Sequence, residues 1–243
     1  MSFTQFILVL SVAIFAGCGS PSRTESEETT NTYPDVQIAG AMSNVMWKGE
    51  LNGIIGLDTI SGKKGLYGLG PLSGLQGELL INDGICYVSK VVDDSTIEMQ
   101  QTCAVSAPFF VYTHVNEWNE LRLPPNIKTI RDLETFIDQE TINAKRPFVF
   151  KLIGRAKSAK IHIQNLPEGA KVSSPAEAHS GQVKYNLYDK QSEVIGFFST
   201  EHQGVFTHHD TYLHMHLISK NGNQMGHLDE LEIDEMVLLL PLK

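Results

Sequence analysis

The segment Tyr212-Leu213-His214-Met215-His216-Leu217-Ile218-Ser219, with His227 following it, constrains this chain more than any other stretch. It alternates and carries few helix signals, so it reads as a β-strand. Successive strand side chains point to opposite faces, which puts His214 and His216 on one face and Met215 and Leu217 on the other. The next residues, Lys220-Asn221-Gly222-Asn223-Gln224-Met225-Gly226, carry Asn-Gly near their start and Gly at their end. That is turn chemistry, and it folds the chain back so that His227 lies beside the pair. Three imidazoles converging from a hairpin suit a divalent transition metal, zinc first, because catalytic zinc commonly has three protein ligands and an open position. His-x-His alone is a weak signal, and the competing reading is a polar sheet face with solvated histidines. The returning third histidine favours a metal.

The chain has 243 residues, enough for one large domain or two small ones with a real core. Its formal net charge of -9 and the absence of a basic cluster argue against a nucleic-acid partner. Residues 1–18 read as a processing segment: the apolar run Phe6 to Phe15 is short for a membrane span. It ends in Phe15-Ala16-Gly17-Cys18, which resembles the lipobox of bacterial lipoproteins, although no Lys or Arg precedes the run. The expectation is an exported, membrane-anchored lipoprotein of the cell envelope, lipidated at Cys18 and touching the membrane only through that anchor. Residues 19–40, rich in Ser, Thr and Glu as far as Asp35, are expected to form a disordered tether.

Beyond the tether the chain reads as α+β and mostly β. Residues 41–167 are expected to form a larger N-terminal mixed sheet with a few helices. Residues 168–243 are expected to form a smaller antiparallel sheet carrying the metal site. Ala41 to Trp47 reads as a short helix and Thr129 to Ile137 as an amphipathic one. Asp83-Gly84 between two apolar runs marks a hairpin, and Glu78 lies at the start of its first strand. By composition alone such an acid is an exposed edge residue. Pro147 to Gly154 and Lys157 to Gln164 read as separate strands, the second with Lys160, His162 and Gln164 on one face. Gln182 to Leu187 and Gln191 to Ser199 read as two more. His208 and His209 read as solvated loop residues. Cys86 and Cys103 fall in strands of one region, and an exported chain can oxidise them. Their separation says nothing of their distance in space, so two small buried core residues is the preferred reading.

Laid out in this order, the residues resemble the α-acetolactate decarboxylases. That family's His-x-His-Phe-Ile-Ser, polar turn and Gly-Gly-His correspond to His214-Met215-His216-Leu217-Ile218-Ser219 and Met225-Gly226-His227. Val194-Ile195-Gly196-Phe197-Phe198-Ser199 resembles its Val-Gly-Phe-Trp-Ser/Thr segment. Leu66-Tyr67-Gly68-Leu69-Gly70 through Leu75-Gln76-Gly77-Glu78-Leu79 resembles its Gly-Leu-Gly-Thr-Phe to Leu-Asp-Gly-Glu stretch, and Ala107-Pro108-Phe109-Phe110 its Thr-Pro-Phe-Ala. The resemblance implies a metal-dependent lyase that converts 2-acetolactate, a small 2-hydroxy-3-oxo acid, to acetoin and CO₂. It implies His214, His216 and His227 as zinc ligands, Glu78 as an active-site carboxyl group, and a homodimer. The family's substrate-carboxylate arginine falls at His162, with Lys160 two residues before it; either can supply positive charge, without arginine's two-pronged geometry. The chain stops at Lys243, before the family's second, C-terminal glutamate. Two alternatives follow from these departures: a non-catalytic metal-binding lipoprotein derived from the family, and a cupin-like metalloenzyme.

Overall fold

The computed structural model describes Met1 and residues 33–242. The expected signal segment, the lipidation site Cys18 and most of the expected tether lie outside the described residues. The chain then runs β1 (Gln37–Ala39), α1 (Met42–Lys48), β2 (Ile55–Gly56), β3 (Leu66–Pro71), β4 (Glu78–Asn82), β5 (Ile85–Val91), β6 (Ile97–Gln101), β7 (Ser106–Ala107), β8 (Phe110–His114) and β9 (Trp118–Arg122). It continues with α2 (Ile130–Glu140), β10 (Phe148–Ile163), α3 (Pro175–Ala178), β11 (Val183–Phe198), β12 (Leu213–Ser219) and β13 (Met225–Pro241). The fold is mostly β with a few helices, as expected. The tether ends earlier than expected, because Gln37–Ala39 pairs with β8.

Strands β1-β8-β3-β4-β5-β6 form a six-stranded sheet. Every pairing in it is antiparallel, where a mixed sheet was expected. The second sheet is ordered β10-β11-β12-β13-β9, and β10 also pairs with β13. Strands β10, β11, β12 and β13 therefore close into a ring. The expected division at residues 167/168 does not coincide with the division between sheets. β10 lies before it, yet pairs along its length with β11 and β13.

The separate strands expected at 147–154 and 157–164 are one strand, as are those at 182–187 and 191–199. The chain bends without leaving the ladder: the β10–β13 register shifts at Arg155/Ala156, and Asp189 turns through a positive φ of 53° on β11. Bulges of this kind re-aim side chains while keeping the pairing.

The sheets pack face to face. Tyr67, Leu69, Leu80 and Val111 from the first meet Val149, Ile195, Phe197 and Ile218 from the second in one buried cluster. At its edge the Lys151 ammonium pairs with Glu193 at 2.6 Å, and Asn82 of the first sheet donates to the same carboxylate at 2.8 Å. α2 covers the outer side of the ring with Leu133 and Ile137, its start fixed by a Thr129/Asp132 capping box.

Cys86 and Cys103 are joined in a disulfide with Cα atoms 5.3 Å apart, which corrects the preferred reading of two unpaired core residues. β5 and β6 form a hairpin, and its return brings Cys103 back over Cys86. The bond closes a loop of 17 residues. Cross-links of that span stabilise by about 3 kcal/mol. Cys86→Ala/Cys103→Ala is expected to lower the unfolding free energy by about that amount, read from urea denaturation curves against the oxidised parent.

Candidate metal centre

The site begins with sheet register. In the closing hairpin His216 of β12 is the cross-strand partner of His227 of β13. His227 in turn is the partner of His162 on β10. Three imidazoles thus stand in one row across three strands, and His214 joins from two residues along β12. Gly226 makes this closeness possible: a side chain there would meet the His162 carbonyl oxygen at 2.6 Å. One ring nitrogen from each of His214, His216 and His227 lies within 4.8 Å of the others, and all three residues are buried.

The sequence-predicted Glu78 arrives from the first sheet. It opens β4 after Gly77, whose φ is 153° and where a side chain would meet the Ser89 carbonyl oxygen at 2.5 Å. Glu78 is only 2% exposed, not the edge residue that composition suggested. Glu78 Oε1 accepts a hydrogen bond from the Gln164 backbone N–H at 3.2 Å, just beyond the end of β10. Glu78 Oε2 lies 3.6 Å from His216 Nε2.

His162 also reaches the site. Its ring stacks on His227 at 4.5 Å, and its Nδ1 lies 2.7 Å from Asp229 Oδ1. Lys160 does not reach it. Pairing shifts from Lys160↔Glu230 to Ile161↔Leu228, leaving Asp229 of β13 unmatched; Lys160 and His162 do share a face of β10, opposite the core residues Ala159, Ile161 and Ile163, but Lys160 lies further along the strand, outside the site. Lys160 is ion-paired with Glu230 on the outer surface. Two participants were missed. Asp229 holds His162, and His208 stands edge-on to His227 with ring centroids 5.5 Å apart. Nothing periodic marked either; the one signal was their closeness in sequence to the ligand strands.

The cavity among these groups is about 20 Å³, bounded by Met42, Met46, Leu75, Phe109, Glu78 and the imidazoles of His162, His208, His214 and His227. That is room for about one water. Burial, reinforced by neighbouring imidazoles, holds His214 and His227 well below the usual histidine range and brings His216 down to about 3. Burial likewise pushes the Glu78 carboxyl well above its ordinary value, against the opposing Gln164 hydrogen bond. Neutral imidazoles are the metal-binding form.

A second observation fits a metal. His214 Nδ1 and both nitrogens of His216 are buried with no hydrogen-bond partner among the described residues. Buried polar atoms left unpaired cost about 1–3 kcal/mol each, and each neutral imidazole has one lone-pair nitrogen to offer, so the converging rings ask for a shared acceptor of those lone pairs. The donor set, three nitrogens and a nearby carboxyl oxygen, is one that zinc takes.

Fold and site together define a mostly β scaffold organised around a buried histidine cluster that can hold a metal ion. The sequence model of the alpha-acetolactate decarboxylase family matches residues 38–240. The chain belongs to the alpha-acetolactate decarboxylase family. It is an acetolactate decarboxylase-like carbon–carbon lyase, and membership over this span displaces the cupin-like alternative. Among curated relatives, an alpha-acetolactate decarboxylase of Methanosarcina mazei is 24% identical over 224 residues, covering 89% of this chain and 74% of that protein. The crystal structure of the alpha-acetolactate decarboxylase of Bacillus subtilis superposes with a TM-score of 0.69 at 19% identity, covering 86% of this chain and 85% of that one. A Staphylococcus aureus protein of unknown function, described as similar to alpha-acetolactate decarboxylase, gives 0.71 at 19% identity over 86% and 84% of the two chains. At these identities the solved structures speak for the fold.

Proposed function

We propose that this protein decarboxylates 2-acetolactate to acetoin and CO₂ with a zinc ion held by His214, His216 and His227. The observation that carries the proposal is the meeting of three buried imidazoles, with unpartnered nitrogens, and a buried carboxyl group supplied by the opposite sheet. Bound there, the ion supplies a Lewis acid for the adjacent hydroxyl and ketone oxygens of the substrate.

The chain's own residues supply the rest. The bond to the carboxylate breaks, its electron pair stays on carbon, and one proton must reach that carbon. Glu78 has Oε1 fixed by the Gln164 N–H and turns Oε2 towards His216, where it can deliver or relay that proton. His162, fixed at Nδ1 by Asp229, lines the same cavity and presents its remaining nitrogen as a polar contact. Leu75, Phe109, Met42 and Met46 keep bulk water out, which strengthens every charge interaction inside.

A second reading rests on one specific feature. His162 stands at the column of the family's arginine and is already paired with Asp229, so the chain can have kept the metal while losing turnover. Purified protein assayed with 2-acetolactate for acetoin and CO₂, alongside metal analysis, decides between them. Zinc at one per chain with acetoin release is the expected result; zinc without turnover of any 2-hydroxy-3-oxo acid selects the second reading. Export with a lipid anchor at Cys18 belongs to the same proposal. The Cys86–Cys103 bond supports it, because such bonds persist in oxidising compartments.

A further inference from the structure

The inner cavity has room for about one water, so a five-carbon acid enters only if a lining group moves. Outside it lies a groove of about 680 Å³ between α2 and the loop before β12, bounded by Ile130, Arg131, Glu134, Asp210 and Thr211 among others. His208 and His227 border both spaces. His227 is fixed in the strand ladder. His208 sits on the loop, and its side chain makes no hydrogen bond among those of the described residues.

The loop itself is tied down on either side of that side chain. The first N–H groups of α1, at Met42 and Ser43, donate to the carbonyls of Val205 and Gly204 at 2.7 and 2.9 Å. Glu134 of α2 accepts from the Thr211 hydroxyl at 2.5 Å and the Tyr212 N–H at 2.8 Å. His208 therefore stands at a fixed place between the groove and the inner cavity, its ring packed beside His227.

Charge decides which end of the substrate faces it. The inner end of the cavity holds Glu78 and apolar walls, which desolvate a carboxylate and offer it no positive side chain. The mouth holds imidazoles. His162 is already matched to Asp229, so the pair offers an anion little. Glu134 is taken up by its two donors. Asp210 is the remaining acid of the groove. Apart from His227, which belongs to the proposed ligand set, His208 is the mouth imidazole with no carboxylate hydrogen bond among the described residues.

We propose that His208 is the substrate-contact residue at the mouth of the site, donating a hydrogen bond to the carboxylate of the bound hydroxy acid, and that substrate arrives through the groove between α2 and this loop. The inference rests on the small-hydroxy-acid reading above, but not on turnover. Hydrogen bonds to a charged group are among the stronger ones.

The test uses the zinc-loaded full chain and two probes, 2-hydroxy-2-methylpropanoate, which carries the carboxylate, and acetoin, which lacks it. His208→Ala is expected to weaken the acid about tenfold or more, leave acetoin binding and zinc content unchanged, and be restored in large part by His208→Gln, which keeps an N–H donor. An equal loss for both probes, no loss for the acid, or no acid binding by the parent would overturn the assignment. Failure of the parent to release CO₂, with the His208 dependence of acid binding intact, would sink the decarboxylase reading and leave the carboxylate contact standing. Unchanged zinc content in both variants is the check on folding, since the ligands come from three separate strand positions.

Discussion

His216→Leu is expected to abolish acetoin release while making the metal-free protein more stable. The two effects have one cause. His216 is fully buried, and its Nε2, 3.6 Å from Glu78 Oε2, has no hydrogen-bond partner among the described residues. In the absence of a cation that nitrogen is a desolvated polar atom with nothing to repay it, a burden of about 1–3 kcal/mol. Leucine has a similar volume and no such atoms, so urea denaturation of the metal-stripped variant should give a higher unfolding free energy than the stripped parent. Activity should move the other way. A Lewis acid supplies several kcal/mol of charge stabilisation, and each 1.36 kcal/mol is tenfold in rate, so loss of a ligand should lower kcat/KM roughly 10³-fold or more. Zinc content after gel filtration should fall with it. A residue that merely packs the ring would behave differently: its replacement would lower stability and leave zinc at one per chain. That outcome would remove the metal centre from His216. The contrast is the mark of a group retained for chemistry at the expense of stability.

How much of this could be read in the letters depends on the range of the interaction. The His214/His216 pair was legible because a strand repeats every two residues, and the return of His227 because Asn221-Gly222 and Gly226 are turn and close-approach residues. Helix α2 was legible from Ile130, Leu133, Phe136 and Ile137, one turn apart. Glu78 was not legible locally. Its place beside His216 is set by the packing of one sheet on another, and only the resemblance to known decarboxylases pointed to it. Lys160 does share its face of β10 with His162, but alternation does not say how far along that face the site extends, and Lys160 lies beyond it, paired with Glu230. The unmatched Asp229 of β13 reaches His162, a pairing that no alternation rule contains. His208 was passed over because adjacent loop histidines have no period. Its burial comes from α1 and α2 gripping the loop on both sides. The disulfide was open for a similar reason: 17 residues of separation fix no distance until the β5–β6 hairpin is known.

Metal-free protein is expected to lose stability steeply as pH falls from about 6.5 towards 5, in a window where surface carboxylates barely titrate. His214, His216 and His227 have folded-state values held down by burial, to about 3 for His216. In the unfolded chain each returns to about 6.5. Below that value the unfolded chain takes up a proton at each position and the folded one does not, so the unfolded state binds more protons and stability drops with pH. Each such group contributes about 1.4 kcal/mol per pH unit once fully in its window, roughly 4 kcal/mol per unit for the trio. Glu78 acts with the opposite sign. Its folded value is raised, so its burden is present at neutral pH and is relieved as pH falls through that value to the unfolded one, offsetting about one histidine's worth. His179 and His208, also held down by burial, add to the histidine side. The net expectation is a fall of about 3 kcal/mol or more per pH unit, seen as a dropping denaturation midpoint in EDTA-treated protein. His216→Leu should flatten that slope by about one histidine's share, independently of any assay of activity. A flat profile between pH 6.5 and 5 would mean that the three rings carry protons in the folded state, and with them charged the cavity could not receive a cation at all.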